Sequence, residues 1–404
     1  MQKQQTRRRA LYGALALLLA AVTGWCVAVA PPIAVRTNVP AASPTDPVPA
    51  PVKGVWINCW EWAPMISGHT RAEYEQTLEQ TLPQLVQTGF NTVFLQVRAF
   101  CDAMYPSDLF GWSSLINNGA GVAYDPFALF LQHARRNGLA VHAWVNPYRV
   151  TNGVLDDLPA NHVARKLAAQ GAAVQTEQGV WLKPSHAGAQ KLILQGVREL
   201  LARYHPDGIQ FDDYFYPTTD PRFDEADYAA YCEAAAAPLS LADWRRGQVN
   251  ALIAATCRLA HQYGAVFGVS PAAGLTKNRE QAYADAAAWA AGGYVDYLCP
   301  QLYFGFAYPK EEYRFANLLA AWRRAAGTVP LYVGLAAYKL GQPDAGSTEW
   351  VTATDLLARQ TEYATGFAQV QGVCVYGFSA LTATDALHVK QRKTLARALT
   401  QFIP

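Results

Sequence analysis

The sequence predicts an α/β protein: a (β/α)8 TIM barrel behind an N-terminal export or anchor segment. Three observations lead there. Short β-rich runs alternate with helical stretches, eight times over about 350 residues, which is the rhythm of a parallel barrel ringed by helices. The inward-facing positions of several runs carry polar and aromatic groups toward their C-terminal ends, where functional groups of such barrels collect. No GxGxxG or GxxxxGK[ST] follows the first run, although an open doubly wound sheet, the alternative reading, would normally carry one.

Composition narrows the class further. The chain has 404 residues, of which 51% are apolar and 16% charged, enough to bury one large core and too ordered for a disordered chain. Its 33 Lys and Arg against 31 Asp and Glu leave a net charge of +2, so there is no electropositive footprint for nucleic acid. Seven Cys show neither CxxC nor Cys/His ligand spacing, and HxH, HExxH and GxSxG are missing from the chain. The expectation is therefore no metal, no cofactor and no serine nucleophile elbow.

The chain opens with Lys3, Arg7, Arg8 and Arg9, then runs uncharged from Ala10 to Pro32. Positive residues before an apolar run are an export pattern, and residues 1–30 read as a signal peptide or a membrane anchor. Ala28-Val29-Ala30 offers small residues for cleavage, yet Pro31 follows at once. Lipidation at Cys26 is disfavoured by the bulky Trp25. Residues 31–51 are rich in Pro and Ala without periodicity and read as an extended linker. The barrel is expected over 52–404, outside the cytoplasm in the periplasm or cell envelope, with a membrane tether through residues 10–30. Oligomeric state is left open.

The runs are GVWINCW (54–60), NTVFLQVR (91–98), LAVHAWVN (139–146) and DGIQFDD (207–213), then AVFGVS (265–270), VDYLCPQLY (295–303), VPLYVGLAAY (329–338) and GVCVYGF (372–378). Helical stretches are expected at 71–88, 126–137, 189–204, 243–263, 280–291, 312–326, 352–369 and 384–401. Alternation along a strand assigns faces. Val93, Leu95 and Val97 turn to the helices, leaving Phe94, Gln96 and Arg98 on the axis. Val141, Ala143 and Val145 likewise leave His142, Trp144 and Asn146 inside. Gln210 and Asp212 point in on the fourth run, and Trp56, Asn58 and Trp60 on the first. Arg98, Asn146 and Asp212 would each cost about 1–3 kcal/mol if buried unpaired, so a hydrogen-bonded floor under a ligand is the better reading.

Chemistry concentrates in Phe211-Asp212-Asp213-Tyr214-Phe215-Tyr216-Pro217. Two neighbouring carboxyls can supply an acid and a base or nucleophile. Asp213 can equally cap the next element or pair with an arginine. Asp102, four residues past Arg98, is the candidate second carboxyl, and Glu61 is a weaker one. Arg98 is expected to hold a carboxyl ionised or to grip substrate with its planar fork. His142 reads first as a hydrogen-bonded core histidine. Trp56, Trp144, Asn146, Tyr148, Gln96, Tyr105, Tyr214, Gln301 and Tyr303 are candidates for holding a sugar by ring faces, amides and hydroxyls. Ser270, Tyr338, Lys339 and Tyr376 join them on the rim. Cys59 and Cys101 stand at adjacent strand ends, where a disulfide or simple packing would both fit.

The ordered set of GVW at 54–56, GFNTVFLQVRAFCDAMYPS at 89–107, YDP at 124–126, HAWVNPYR at 142–149, DGIQFDDYFYP at 207–217 and Gln301-Leu302-Tyr303 resembles the glycosyl hydrolase-like 10 family over roughly residues 52–400. That resemblance implies a bacterial envelope protein with a (β/α)8 barrel, in a family where some members cleave peptidoglycan glycan strands stripped of their peptides. It implies a polysaccharide substrate of amino-sugar type, with no settled assignment of nucleophile and acid. From position, Asp212 is expected as nucleophile or base and Asp213 or Asp102 as proton donor. The rival expectations are a catalytically silent glycan-binding scaffold and a lytic transglycosylase.

Overall fold

A computed structural model describes residues 50–403. The leader and most of the linker read from the sequence therefore lie outside the described residues. The strands, in chain order, are β1 (Val52–Ile57), β2 (Thr92–Arg98), β3 (Ala140–Val145), β4 (Arg149–Thr151), β5 (Ala173–Thr176), β6 (Gly179–Leu182), β7 (Gly208–Phe211), β8 (Val266–Val269), β9 (Tyr297–Leu298), β10 (Leu331–Ala336) and β11 (Val370–Tyr376). β1, β2, β3, β7, β8, β9, β10 and β11 pair in that order, all parallel, and β11 returns to β1. The result is a closed barrel of eight strands, one for each expected run. β9 is only two residues long. The ladder continues beside it through single bridges from Gln301 to Ala272 and to Gly334.

Helices cover the barrel where periodicity placed them. Arg71–Thr88 matches the expected span, with Thr70 and Glu73 forming a reciprocal capping box at its start. Gly89, at φ 101°, ends it in the left-handed conformation. Pro126–Arg136, Ala187–Tyr204, Leu241–Gln262, Phe315–Ala326, Leu356–Thr365 and Ala386–Gln401 fall within a few residues of expectation. The helix expected at 280–291 is instead two pieces, Leu275–Gln281 and Ala286–Ala291.

Two departures shape the rim. The first run does not stay extended to Trp60, because Asn58 caps a helix, Cys59–Ile66. Its side chain accepts from the Trp60 and Glu61 amides, while Glu61 reaches back to the Asn58 amide. Trp60 thus leaves the barrel axis and is half exposed. Between β3 and helix Ala187–Tyr204 the chain also adds a small antiparallel sheet, in the order β4, β6, β5, that the strand count did not anticipate.

The faces follow the alternation. Val55, Ile57, Val93, Leu95, Val97, Val141, Ala143, Val145, Ile209 and Phe211 pack outward in the helix-covered core. Trp56, Phe94, Trp144, Tyr297, Cys299 and Cys374 form a separate cluster inside the barrel. Its lower part is dense with rings. The His142 ring meets Phe94 at 4.8 Å, and Tyr297 stacks on Tyr332 at 4.4 Å. Such crowding needs glycine opposite. A Cβ on Gly208 would lie 2.6 Å from the His142 ring, and one on Gly268 would run into Tyr297. His142 is hydrogen-bonded to the Tyr297 hydroxyl at 2.9 Å, and burial depresses its pKa to about 3, so it is neutral.

Candidate active site

β7 delivers the acidic pair. Its last residue, Phe211, faces the helices, so Asp212 turns to the axis at the barrel mouth and Asp213 begins the loop. Asp212 is 2% exposed, and the indole Nε1–H of Trp144 on β3 donates to its Oδ2 at 3.0 Å. Its Oδ1 is buried without a protein partner. Burial, then the neighbouring Asp213 charge, push the Asp212 carboxyl well above the usual range. Burial raises Asp213 as well, against opposition from its own backbone amide, Gln301, Arg149 and Lys277. Burial thus disfavours a charge on both carboxyls.

Around the pair lies a cavity of about 210 Å³. Trp56, Trp144, Asp212, Asp213, Tyr214, Gln301 and Tyr303, all expected, line it together with Ser270, Tyr338 and Tyr376. Tyr303 and Tyr376 are parallel at 5.7 Å, and Trp56 stands edge-on to both. Trp56 is held in turn from below, its Nε1–H donating to Gln210 Oε1 at 2.6 Å. The Gln301 amide donates to the Ser270 carbonyl at 3.0 Å. Flat rings with amides and hydroxyls between them suit a neutral, hydroxyl-rich ring.

A second, wider cleft of about 580 Å³ adjoins this cavity, and Asp213 and Tyr214 belong to the walls of both. The added sheet supplies part of it through Trp181 on β6, whose ring lies 5.9 Å from Tyr214. Behind the loop, Arg245 and Asp224 form a fully buried ion pair. Arg245 also donates to the Thr219 and Asp220 carbonyls, and Tyr216 donates to Asp224. This network fixes the loop that carries Asp213 and Tyr214.

Other expected residues lie elsewhere. A register shift between Gln96 and Arg98 sets Arg98 opposite Val145, a helix-facing position. Its guanidinium therefore leaves the axis, stacks 3.8 Å over Phe110 and occupies the space that Gly196 leaves open on helix Ala187–Tyr204. The loop after β2 folds back on its strand, with the Met104 amide donating to the Val97 carbonyl at 3.0 Å. Asp102 thereby sits apart from the cavity lining, raised by burial and opposed by Ser113 and Arg98. Tyr105 is buried in the outer layer against Phe127 and Tyr204, donating to Glu199. Tyr148 is fully buried, its carbonyl accepting from Leu182 of the added sheet. Gln96 and Asn146 bond each other at 3.0 Å, and Gln96 accepts from the Cys59 amide, so both support the rim without lining the cavity. His142 lies in the floor. Glu61 is taken up by Asn58 and by the Ser379 amide. Cys59 and Cys101 are buried and unbridged.

The cation beside the pair is Arg149, which the sequence reading quoted but did not select. Its guanidinium sits between Phe100, at 4.6 Å, and Tyr214, at 3.9 Å, and donates to the Ala99 carbonyl. Both aspartates respond to it. Its position directly after the inward run of β3 was the available signal; Trp181 and Lys277 had none. Among the described residues, Cys257, His261 and Asp296 could together hold a metal ion. Cys257 and His261 lie near the end of helix Leu241–Gln262 and Asp296 directly precedes β9, at the opposite end of the barrel from the aspartates.

Residues 51–352 match the glycosyl hydrolase-like 10 family. The chain is 32% identical over 397 residues to glycosyl hydrolase DigH of Escherichia coli (strain K12), covering 87% of each protein. It is 31% identical over 321 residues to glycosyl hydrolase YngK of Bacillus subtilis (strain 168), covering 72% of this chain and 61% of that one. Among solved structures, the PgaB (BpsB) glycoside hydrolase domain from Bordetella bronchiseptica superposes with a TM-score of 0.56 at 16% identity, over 86% of this chain and 99% of that one. A Group IV chitinase from Ostrinia furnacalis gives 0.50 at 13% identity, over 87% and 100%. At those identities the likeness speaks for the barrel alone. The family match and the relatives of matching length speak for more: the chain belongs to the glycosyl hydrolase-like 10 family and is a glycoside hydrolase.

Proposed function

We propose that this hydrolase cuts glycosidic bonds within amino-sugar strands of the bacterial cell wall, namely peptidoglycan glycan from which the peptides have been removed. The observation that carries the reading is the place of Asp213. It stands where the ring-lined cavity opens into the wider cleft, so a chain lying through both would present a linking oxygen beside it. Asp213, partly exposed at the junction and raised by burial, is the donor to that oxygen as the C1–O bond breaks. Asp212, anchored by Trp144, supplies negative charge at C1 as nucleophile or as base toward water. The stacked tyrosines and Trp56 hold the sugar face. The basic and then apolar leader supports an envelope location, which fractionation of cells producing the full chain tests.

The direct experiment incubates purified full-length protein with peptide-free glycan strands and identifies fragments by mass spectrometry. Hydrolysed reducing ends are expected; anhydro ends would mark a lytic transglycosylase instead. Strands retained but never shortened would leave a binding protein. In the active case Asp213→Asn and Asp212→Asn each remove most of the rate, by about 10²–10⁴-fold.

A further inference from the structure

We propose that Lys277 reads a carboxylate on the sugar beside the scissile bond, and so selects strands bearing lactyl ethers over neutral chitin-type strands. The inference rests on the reading just given and names the feature of the substrate that the wider cleft recognises.

Lys277 lies on the short helix Leu275–Gln281 after β8 and is exposed on the wall of the wider cleft, facing space shared with Trp181, Tyr214 and Asp213. Of the side chains lining that cleft, only Lys277 and Asp213 belong to ordinary cation or carboxylate types. Among the described residues, Lys277 is thus the one cationic side chain on the walls of that cleft. The lysine ion pairs among the described residues are Lys183 with Asp227 and Lys339 with Asp344, and Lys277 is in neither. Arg149, the other nearby cation, is buried between two rings and occupied by a carbonyl, so it cannot turn outward. The cleft therefore offers ring faces for a sugar and one uncommitted ammonium for an anionic substituent.

Peptide-free muramic strands supply that anion. Removal of the stem peptide frees the lactyl carboxylate on every second sugar, whereas chitin has a hydroxyl there. An ammonium is a compact, mobile charge and needs no bidentate fit, which suits a flexible ether arm.

The test uses full-length protein on native strands and on the same strands with carboxylates converted to methyl esters. For the wild type, esterification is expected to raise KM about two- to fivefold with kcat nearly unchanged, the range for one solvated ion pair. Lys277→Met should show that raised KM on native strands and be indifferent to esterification. Lys277→Arg should restore sensitivity. Cleavage by the wild type with equal KM on both substrates, or a Lys277→Met variant that still distinguishes them, overturns the role of Lys277 and leaves the hydrolase reading standing. No cleavage of native strands by the wild type overturns both.

Discussion

Replacing Trp144 by Phe keeps a ring beside Tyr376 but deletes the Nε1–H that donates to Asp212 Oδ2. A hydrogen bond to an ionised group contributes about 1.5–3 kcal/mol, and one pKa unit corresponds to about 1.4 kcal/mol. That bond favours the charged carboxyl, so its loss moves the already raised Asp212 upward by a further one to two units or so. If ionised Asp212 is needed for attack, activity falls as pH drops through its pKa. The acid limb of kcat/KM against pH should therefore move to higher pH by that amount. At a pH on the limb, rates fall by about 10- to 100-fold, and they recover toward the alkaline side. The assay is reducing-end release from glycan strands across pH, with thermal unfolding run in parallel to exclude collapse of the cavity. An unmoved acid limb with a uniformly lower rate refutes the assignment of the limb to Asp212.

Further outcomes follow from the same geometry. Asp102→Asn, which removes a carboxyl outside the cavity, should leave kcat/KM within a few-fold of wild type, and a loss as deep as that of Asp212→Asn would bring Asp102 back into the mechanism. Arg245→Met strands a buried Asp224 and is expected to cost about 3–5 kcal/mol in urea unfolding, with Asp224→Asn added to it recovering part of the loss. His142 is neutral in the fold, with a pKa near 3, and would bind its proton near 6.5 when unfolded. Its contribution is thus fully present above pH 6.5 and is lost as pH falls toward 3, by up to about 5 kcal/mol. His142→Phe should flatten that part of the stability curve, and an identical slope in the variant would place the titration elsewhere.

Much of this was written in local patterns. Period-two alternation named the residues on the barrel axis at Trp56, Phe94, His142, Trp144 and Asp212, because burying one face of a strand demands it. What escaped depends on events that alternation cannot register. One extra residue in the ladder turned Arg98 outward, and Arg149, the first residue of β4, takes the place beside the aspartates. Asp102 shares a short segment with Arg98, yet its loop doubles back on β2 through backbone hydrogen bonds that no side-chain pattern reveals. The fate of Trp60 was legible in principle. Asn58 followed three residues later by Glu61 is a helix-start signal, and it outweighed the β-rich composition around it. The added sheet was hidden because its three strands are short and irregularly spaced.

The packing of Tyr297, Tyr332, Phe94 and His142 against bare glycine backbone has a consequence for traffic. It seals the barrel like a stopper, so water, sugar and both severed ends must all use one doorway. If the cut is made at the aspartates, fragments leave along the trough toward the small sheet or back past the tyrosines, and widening the stopper would not hasten their exit.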